Sequence, residues 1–176
     1  MHSPLILITE TPDNFNAVFE LNKIAFGQAN EAMLVDALRR NSNVFIPELS
    51  IVALYKDAIV GHILFTKVWI TDHQGNKYQS LSLAPMAVLP AYQNQGIGGQ
   101  LINKGLSVAA ALGHKSVIVL GHEHYYPKFG FKPANIWHIK APFDVPSKNF
   151  MAIELVTNGL AQINGTVFYP PEFDAV

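Results

Sequence analysis

The sequence predicts the α/β class, a single domain in which helices flank a mixed sheet, and three observations lead there. Two β-rich stretches separated by the polar pair Lys56-Asp57, Ile51 to Tyr55 and Ile59 to Ile70, read as a hairpin, and a third, Tyr78 to Leu89, follows the turn cluster Asp72 to Asn76. That third stretch runs into a glycine-rich loop, a helical pattern and the apolar run Val117 to Leu120, the order of a βαβ-like unit. Finally, a chain of 176 residues that is 49 % hydrophobic and 14 % charged has a core to build. Folding at this length hides about 70 % of the extended chain's surface, and the composition excludes disorder.

Each element has a local reason. Leu5 to Ile8 is a short β-rich run; Thr11 then offers a cap and Pro12 suits a first helical position. Phe15, Val18, Phe19, Asn22, Ala25 and Phe26 follow helical spacing, and Gly27 sits where that helix stops. Asn30 is placed to cap a second helix through roughly Arg40, buried along Leu34, Ala37 and Leu38. The stretch Tyr78 to Leu89 is apolar on both faces and so reads as central, yet it holds Pro85, which has no N–H for a ladder and signals a bulge or interruption. Leu101, Ile102, Gly105, Ala109 and Leu112 mark the helix after the loop, ended by Gly113. Tyr125 to Phe131 reads as a short helix or turn, and Phe150 to Val156 as the last clear strand. Without repeats or linker composition, one domain spans 1–176, with a core of about 5–156 and a tail, 157–176, extended or irregular at Tyr169-Pro170-Pro171.

Charge and composition exclude several function classes. The net charge is −1, and the only two arginines, Arg39 and Arg40, are adjacent, so no cationic footprint for nucleic acid exists. Cysteine is absent, which removes disulfides, thiolate metal sites and cysteine nucleophiles. The opening residues lack the basic and apolar regions of a signal peptide, and no run approaches the ~20 apolar residues of a membrane span. The expectation is a cytoplasmic protein without nucleic-acid or membrane partners.

The sharpest chemical signal is Gln93-Asn94-Gln95-Gly96-Ile97-Gly98-Gly99 at the start of a helix. Glycines let backbone N–H groups approach a ligand, and the helix aims its positive end there, which suits a phosphate. The loop lacks the lysine of nucleotide triphosphatases and the full three-glycine dinucleotide pattern, so a pyrophosphate without metal-assisted transfer fits better. The alternative is a turn whose glycines only permit tight packing. Pro85 implies free backbone groups at Met86, Ala87 and Val88, spaced for the amides of a pantetheine arm, or else an ordinary bulge. In Tyr125 to Phe131, Tyr125, Phe129 and Phe131 read as aromatic core. Tyr126, with an ordinary pKa of about 10, is suited to donate to a departing thiolate. His114, His122, Glu123 and His124 raise a metal reading, but His122 and His124 would point to opposite sides of a continuing strand, and no metal is expected.

These residues together resemble the GNAT superfamily of N-acetyltransferases. Gln93 to Gly98 matches its Gln/Arg-x-x-Gly-x-Gly/Ala pyrophosphate loop, and Tyr126-Pro127-Lys128-Phe129-Gly130-Phe131 its Tyr-x-x-x-Gly-Phe element. Ala25-Phe26, Leu34 to Arg39, Gly61-His62-Ile63, Leu83 to Pro90 and Leu120-Gly121-His122 resemble the bacterial YhbS-like branch, and the likeness runs from about Ile8 to Glu154. The resemblance implies a sheet splayed beside the third long strand, with acetyl-coenzyme A in the gap. Backbone groups of Met86, Ala87 and Val88 would hold its pantetheine, and Gln93, Asn94, Gln95, Gly96, Ile97, Gly98 and Gly99 would cradle its pyrophosphate. Tyr126 would be the general acid, with His122 or Glu123 the candidate base. The acceptor would meet the first two helices and the C-terminal region. The implied activity is acetyl transfer to a primary amine of a small molecule or protein by direct attack, in a monomer or homodimer. A non-catalytic acyl-coenzyme A sensor is the alternative.

Overall fold

A computed structural model describes residues 4–175. The first apolar run forms strand β1 (Ile6–Thr9). Pro12 then opens a single 3-10 turn, where Asn14 Oδ1 accepts the Thr11 backbone N–H at 2.9 Å, and helix α1 (Phe15–Phe26) follows until Gly27 adopts φ +70°. In α2 (Asn30–Arg39) the capping position is Ala29, so Asn30 is already helical and does not cap.

Strands β2 (Phe45–Tyr55) and β3 (Ala58–Thr71) form the expected hairpin, and Lys56 and Asp57 both take positive φ, 49° and 63°. That is the two-residue turn whose twist matches the strands it joins. β4 (Lys77–Val88) pairs antiparallel with β3 and leads through a loop to α3 (Ile97–Ala111) and β5 (Ser116–Leu120), which lies parallel to β4. Later come β6 (Lys132–Pro133), β7 (Ile139–Lys140), β8 (Phe150–Glu154) and β9 (Gly165–Phe168). The main sheet order is β1-β2-β3-β4-β5-β8-β6. The fold is therefore a mixed sheet with helices, as the pattern predicts.

Residues alternate across this sheet. Ile51, Ile63, Phe65 and Leu81 join Leu101 and Ile102 of α3 in one buried cluster, while Val52 and Leu64 join Val18, Leu34, Val35 and Leu38 of α1 and α2 in another. The helices thus cover opposite faces, as side chains of period two require.

The segment after residue 156 departs from the reading. β9 pairs with β3 through Trp69↔Phe168, Ile70↔Val167 and Thr71↔Thr166, taking the place β2 leaves once its register with β3 ends at Phe45↔Thr66. Asn41 Nδ2, just after α2, donates to Glu172 Oε1 at 2.8 Å. Four residues with one buried position made too short a pattern to stand out as a strand. Among the described residues, no helix is long and apolar enough to cross a membrane.

Candidate active site

Strands β4 and β5 are in register only at Leu81↔Val117 and Ser82↔Ile118. Beyond this, β5 continues beside β8 to Leu120↔Phe150, while β4 runs on to Val88 beside β3 alone. On that side the register jumps from Phe65↔Leu83 to Ile63↔Met86, so Ala84 and Pro85 together oppose Leu64. The Pro85 interruption is therefore a bulge. It places Leu83 and Met86 on the same face, whereas an unbroken strand would separate them.

The gap opens into a cavity of about 640 Å³. β4 contributes Met86, Ala87 and Val88; the loop and first turn of α3 contribute Gln93, Asn94, Gly96, Ile97, Gly98 and Gly99. Within the loop, Asn94 and Gly96 take φ of 59° and 80°. Asparagine tolerates the left-handed region and glycine enters it freely, so the chain turns sharply into the helix. The first intrahelical acceptor is Gly96 O, bonded by Gln100 N–H at 3.1 Å. The N–H groups of Ile97, Gly98 and Gly99 consequently have no partner within the helix. A Cβ on Gly98 would stand 2.9 Å from the Tyr125 hydroxyl oxygen and 3.5 Å from Met86 Cε, so anything larger than a methyl group there would fill the approach. Such a cradle suits an anion held by backbone dipoles alone, since neither lysine nor arginine is among the described residues lining it. Two residues sit otherwise than the simplest reading has it. Gln95 does not line this cavity, its Nε2 donating to Ala91 O at 3.2 Å, and Gln93 Nε2 donates to Val88 O at 3.0 Å, occupying a carbonyl expected to be free.

Opposite the loop stand Gly121, His122, Tyr125 and Tyr126. β5 ends at Leu120, so His122, Glu123 and His124 occupy a turn and not a continuing strand. The Tyr126 ring lies so close to Gly121 that any Cβ there would overlap it, and it meets Phe131 edge-on at 5.6 Å. Burial, with Tyr125 adding to it, pushes the Tyr126 hydroxyl up to about 12. Tyr125 is half-buried against the main core cluster, as read, but also lines the cavity with its hydroxyl at Gly98, while Phe131 is buried as expected. Residue type and spacing carried no signal separating the two tyrosines in this respect.

Of the two candidate bases, His122 is exposed and borders the cavity. Glu123 is not among its lining; its carboxylate pairs with Lys148 Nζ at 2.8 Å and faces His124 Nε2 at 3.1 Å. The hydrogen bond from Lys148 holds its pKa below the usual range, which disfavours taking up a proton. Among the described residues no group of three His, Cys, Asp or Glu side chains could hold a metal ion.

α1 completes the cavity with Ala25 and Phe26, which the spacing placed only on a helix. A buried polar chain fixes that helix to the sheet. Asn22 Nδ2 lies 3.3 Å from His62 Nδ1, His62 Nε2 lies 3.0 Å from Ser50 Oγ, and Ser50 Oγ donates to Glu10 Oε2 at 2.6 Å. Arg39 of α2 pairs with Glu10 and Asp36 and stacks over Phe15 at 4.0 Å. Burial, then the nearby guanidinium, lowers the His62 pKa to about 3, so the ring is neutral.

Residues 46–133 match the family model described as acetyltransferase (GNAT) domain. The Escherichia coli K12 protein named uncharacterized N-acetyltransferase YjhQ is 39 % identical over 131 residues, 74 % of this chain and 71 % of that one. Among solved structures, E. coli YhbS in complex with CoA superimposes with a TM-score of 0.86 at 27 % identity, covering 99 % of this chain and 93 % of that chain. A GNAT family acetyltransferase from Brucella melitensis in complex with acetyl-CoA gives 0.80 at 29 % identity, with 98 % and 100 % covered.

Proposed function

The chain belongs to the GNAT acetyltransferase family, and from that premise we propose that it moves an acetyl group from acetyl-CoA to a primary amine by direct attack. The observation that carries this reading is the parting of β4 and β5 after Ser82, directly beside the unpartnered N–H groups that open α3. An extended amide-bearing arm adds to the β4 edge at Met86 to Val88, displacing the Gln93 side chain from Val88 O or sharing that carbonyl with it, and a pyrophosphate meets the Asn94 to Gly99 backbone, so the thioester lies at the splay. The amine nitrogen forms the C–N bond as the C–S bond breaks. The amine gives its proton to water or, through water, to His122, and the departing sulfur is protonated by Tyr126.

The tyrosine energetics define how that last step runs. Against a thiol of ordinary pKa about 8.5, a hydroxyl at about 12 makes full proton transfer to a free thiolate uphill by about 5 kcal/mol. Tyr126 therefore stabilises the departing sulfur mainly as a hydrogen-bond donor throughout C–S cleavage, full transfer of its proton standing uphill by that amount.

Free-thiol release from acetyl-CoA, screened across amines, polyamines, amino acids and peptides, tests the activity. Tyr126→Phe should lower kcat by about 10²- to 10⁴-fold with the acetyl-CoA Kd little changed. Parental kcat in that variant at several pH values would overturn the acid role, and acetyl-CoA binding without turnover of any amine would favour the sensor.

A further inference from the structure

A second cavity, of about 480 Å³, lies across the splay from the first. Leu83 and Leu120 wall it from the sheet, and Phe143, Phe168, Tyr169 and Phe173 from the segments that follow. Leu120 borders both cavities, so an occupant of the second lies next to the point where β4 and β5 part. Three of these apolar side chains stand in the open: Leu120 is 47 % exposed, Phe143 46 % and Phe168 54 %. Large apolar groups gathered, uncovered, in one concavity mark a ligand site more than a surface accident. The Phe143 and Tyr169 rings are stacked, 29° apart in plane with centroids at 6.1 Å, and Tyr169 also meets Phe173 at 5.1 Å.

The polar part of the lining is small. Ser82 and Asp174 are its other polar members, and no lysine or arginine is among the described residues that line it. Burial pushes Tyr169 up to about 12, with the neighbouring Ser82 hydroxyl working slightly the other way, so the phenol stays neutral. Among the described lining residues Asp174 is thus the one charged side chain, and it attracts a cation. The wall is also held in place, by β9 on β3 and by the Asn41 hydrogen bond to Glu172.

We propose that this second cavity is the acceptor site and that it takes a small primary amine tethered by a short chain to an aromatic ring. The ring packs among Phe143, Phe168 and Tyr169, the ammonium is drawn in by Asp174, and the nitrogen, once deprotonated, reaches the splay past Leu120. The volume is that of a small-molecule pocket, which range about 300 to 1,000 Å³. A polyamine would leave the aromatic wall wet and find one carboxylate for its several charges. This inference rests on the acetyltransferase reading and goes beyond it by naming the acceptor class.

The test uses phenethylamine, ethylamine and spermidine. Each is titrated calorimetrically into the protein, alone and saturated with CoA, and each is assayed with acetyl-CoA by thiol release. Phenethylamine should bind and should exceed ethylamine in kcat/KM by roughly 10- to 100-fold, the worth of burying one aromatic group, and should exceed spermidine as well. Phe143→Ala and Phe168→Ala, at half-exposed positions, should each weaken phenethylamine about 3- to 10-fold while leaving the acetyl-CoA Kd unchanged. Equal turnover of ethylamine or spermidine, parental phenethylamine affinity in both variants, or no phenethylamine binding at all overturns the aromatic class. Failure of acetyl-CoA itself to bind overturns the acetyltransferase reading and the acceptor role with it, so the two failures are separable.

Discussion

Acidifying the protein from about pH 7.5 to about pH 5 should cost it about 2 kcal/mol of stability through His62 alone. In the unfolded chain this histidine takes up a proton near its ordinary pKa of about 6.5, whereas in the fold its pKa is lowered to about 3 by burial and by Arg39. Between those values the unfolded state binds more protons, so stability is fully present above about 6.5 and is lost progressively as the pH falls toward 3. For a chain of this length, about 2 kcal/mol corresponds to a melting temperature lower by about 4 to 8 °C at pH 5. The ring cannot escape by opening to water, because it is wholly buried between Asn22 and Ser50. Thermal unfolding followed by circular dichroism at half-unit steps across this window measures the slope, which ordinary carboxylates, titrating lower, barely enter. His62→Gln should be less stable than the parent near neutrality yet lose most of the acid slope. His114, whose pKa is also lowered by partial burial and Lys67, supplies the remainder, and His114→Gln isolates it. A parent whose melting temperature is flat from pH 7.5 to 5, or a His62→Gln variant with the parental slope, would refute this account of the network.

Acetyl-CoA at about a hundred times its Kd should stabilise the protein by about 2.7 kcal/mol, a melting shift of roughly 5 to 11 °C, and Gly98→Asp should abolish that shift by placing bulk and negative charge at the cradle. Gly98→Ala should keep most of it, because the new Cβ presses only on the far end of the Tyr125 side chain and makes ordinary contact with Met86. Gly105→Ala should destabilise by about 1 to 3 kcal/mol, since a Cβ there would overlap the fully buried Phe65 ring; differential scanning calorimetry reads it, and an unchanged melting temperature would show that α3 shifts freely over β3.

Much of the fold and part of the site could be read along the chain. Runs rich in β-branched and aromatic residues placed β2, β3 and β4, the Lys56-Asp57 pair placed the β2–β3 turn, and Pro85 marked the bulge because a missing N–H is a local property. Glycines ahead of a helical pattern marked the loop for the same reason: left-handed backbone and unpartnered N–H groups belong to a few consecutive residues. What resisted reading were meetings between distant segments. Nothing near Glu123 announces Lys148, nothing near Ala25 or Phe26 announces Gly98, and His62, an isolated histidine in a strand, becomes neutral through burial beneath distant segments and through Arg39 from another element, while Asn22 and Ser50 hold its ring.

The sequence by itself determined the class of fold, the order of strand, loop and helix, and the donor motif, since these follow from side-chain period, backbone permissiveness and helix ends within a dozen residues. Only the tertiary structure decided that β9 returns to β3, and with it that Phe143, Phe168, Tyr169 and Phe173 face Leu120 across a second cavity. Burial, desolvation and the closing of a cavity depend on which distant surfaces are brought together, and no local pattern carries that information.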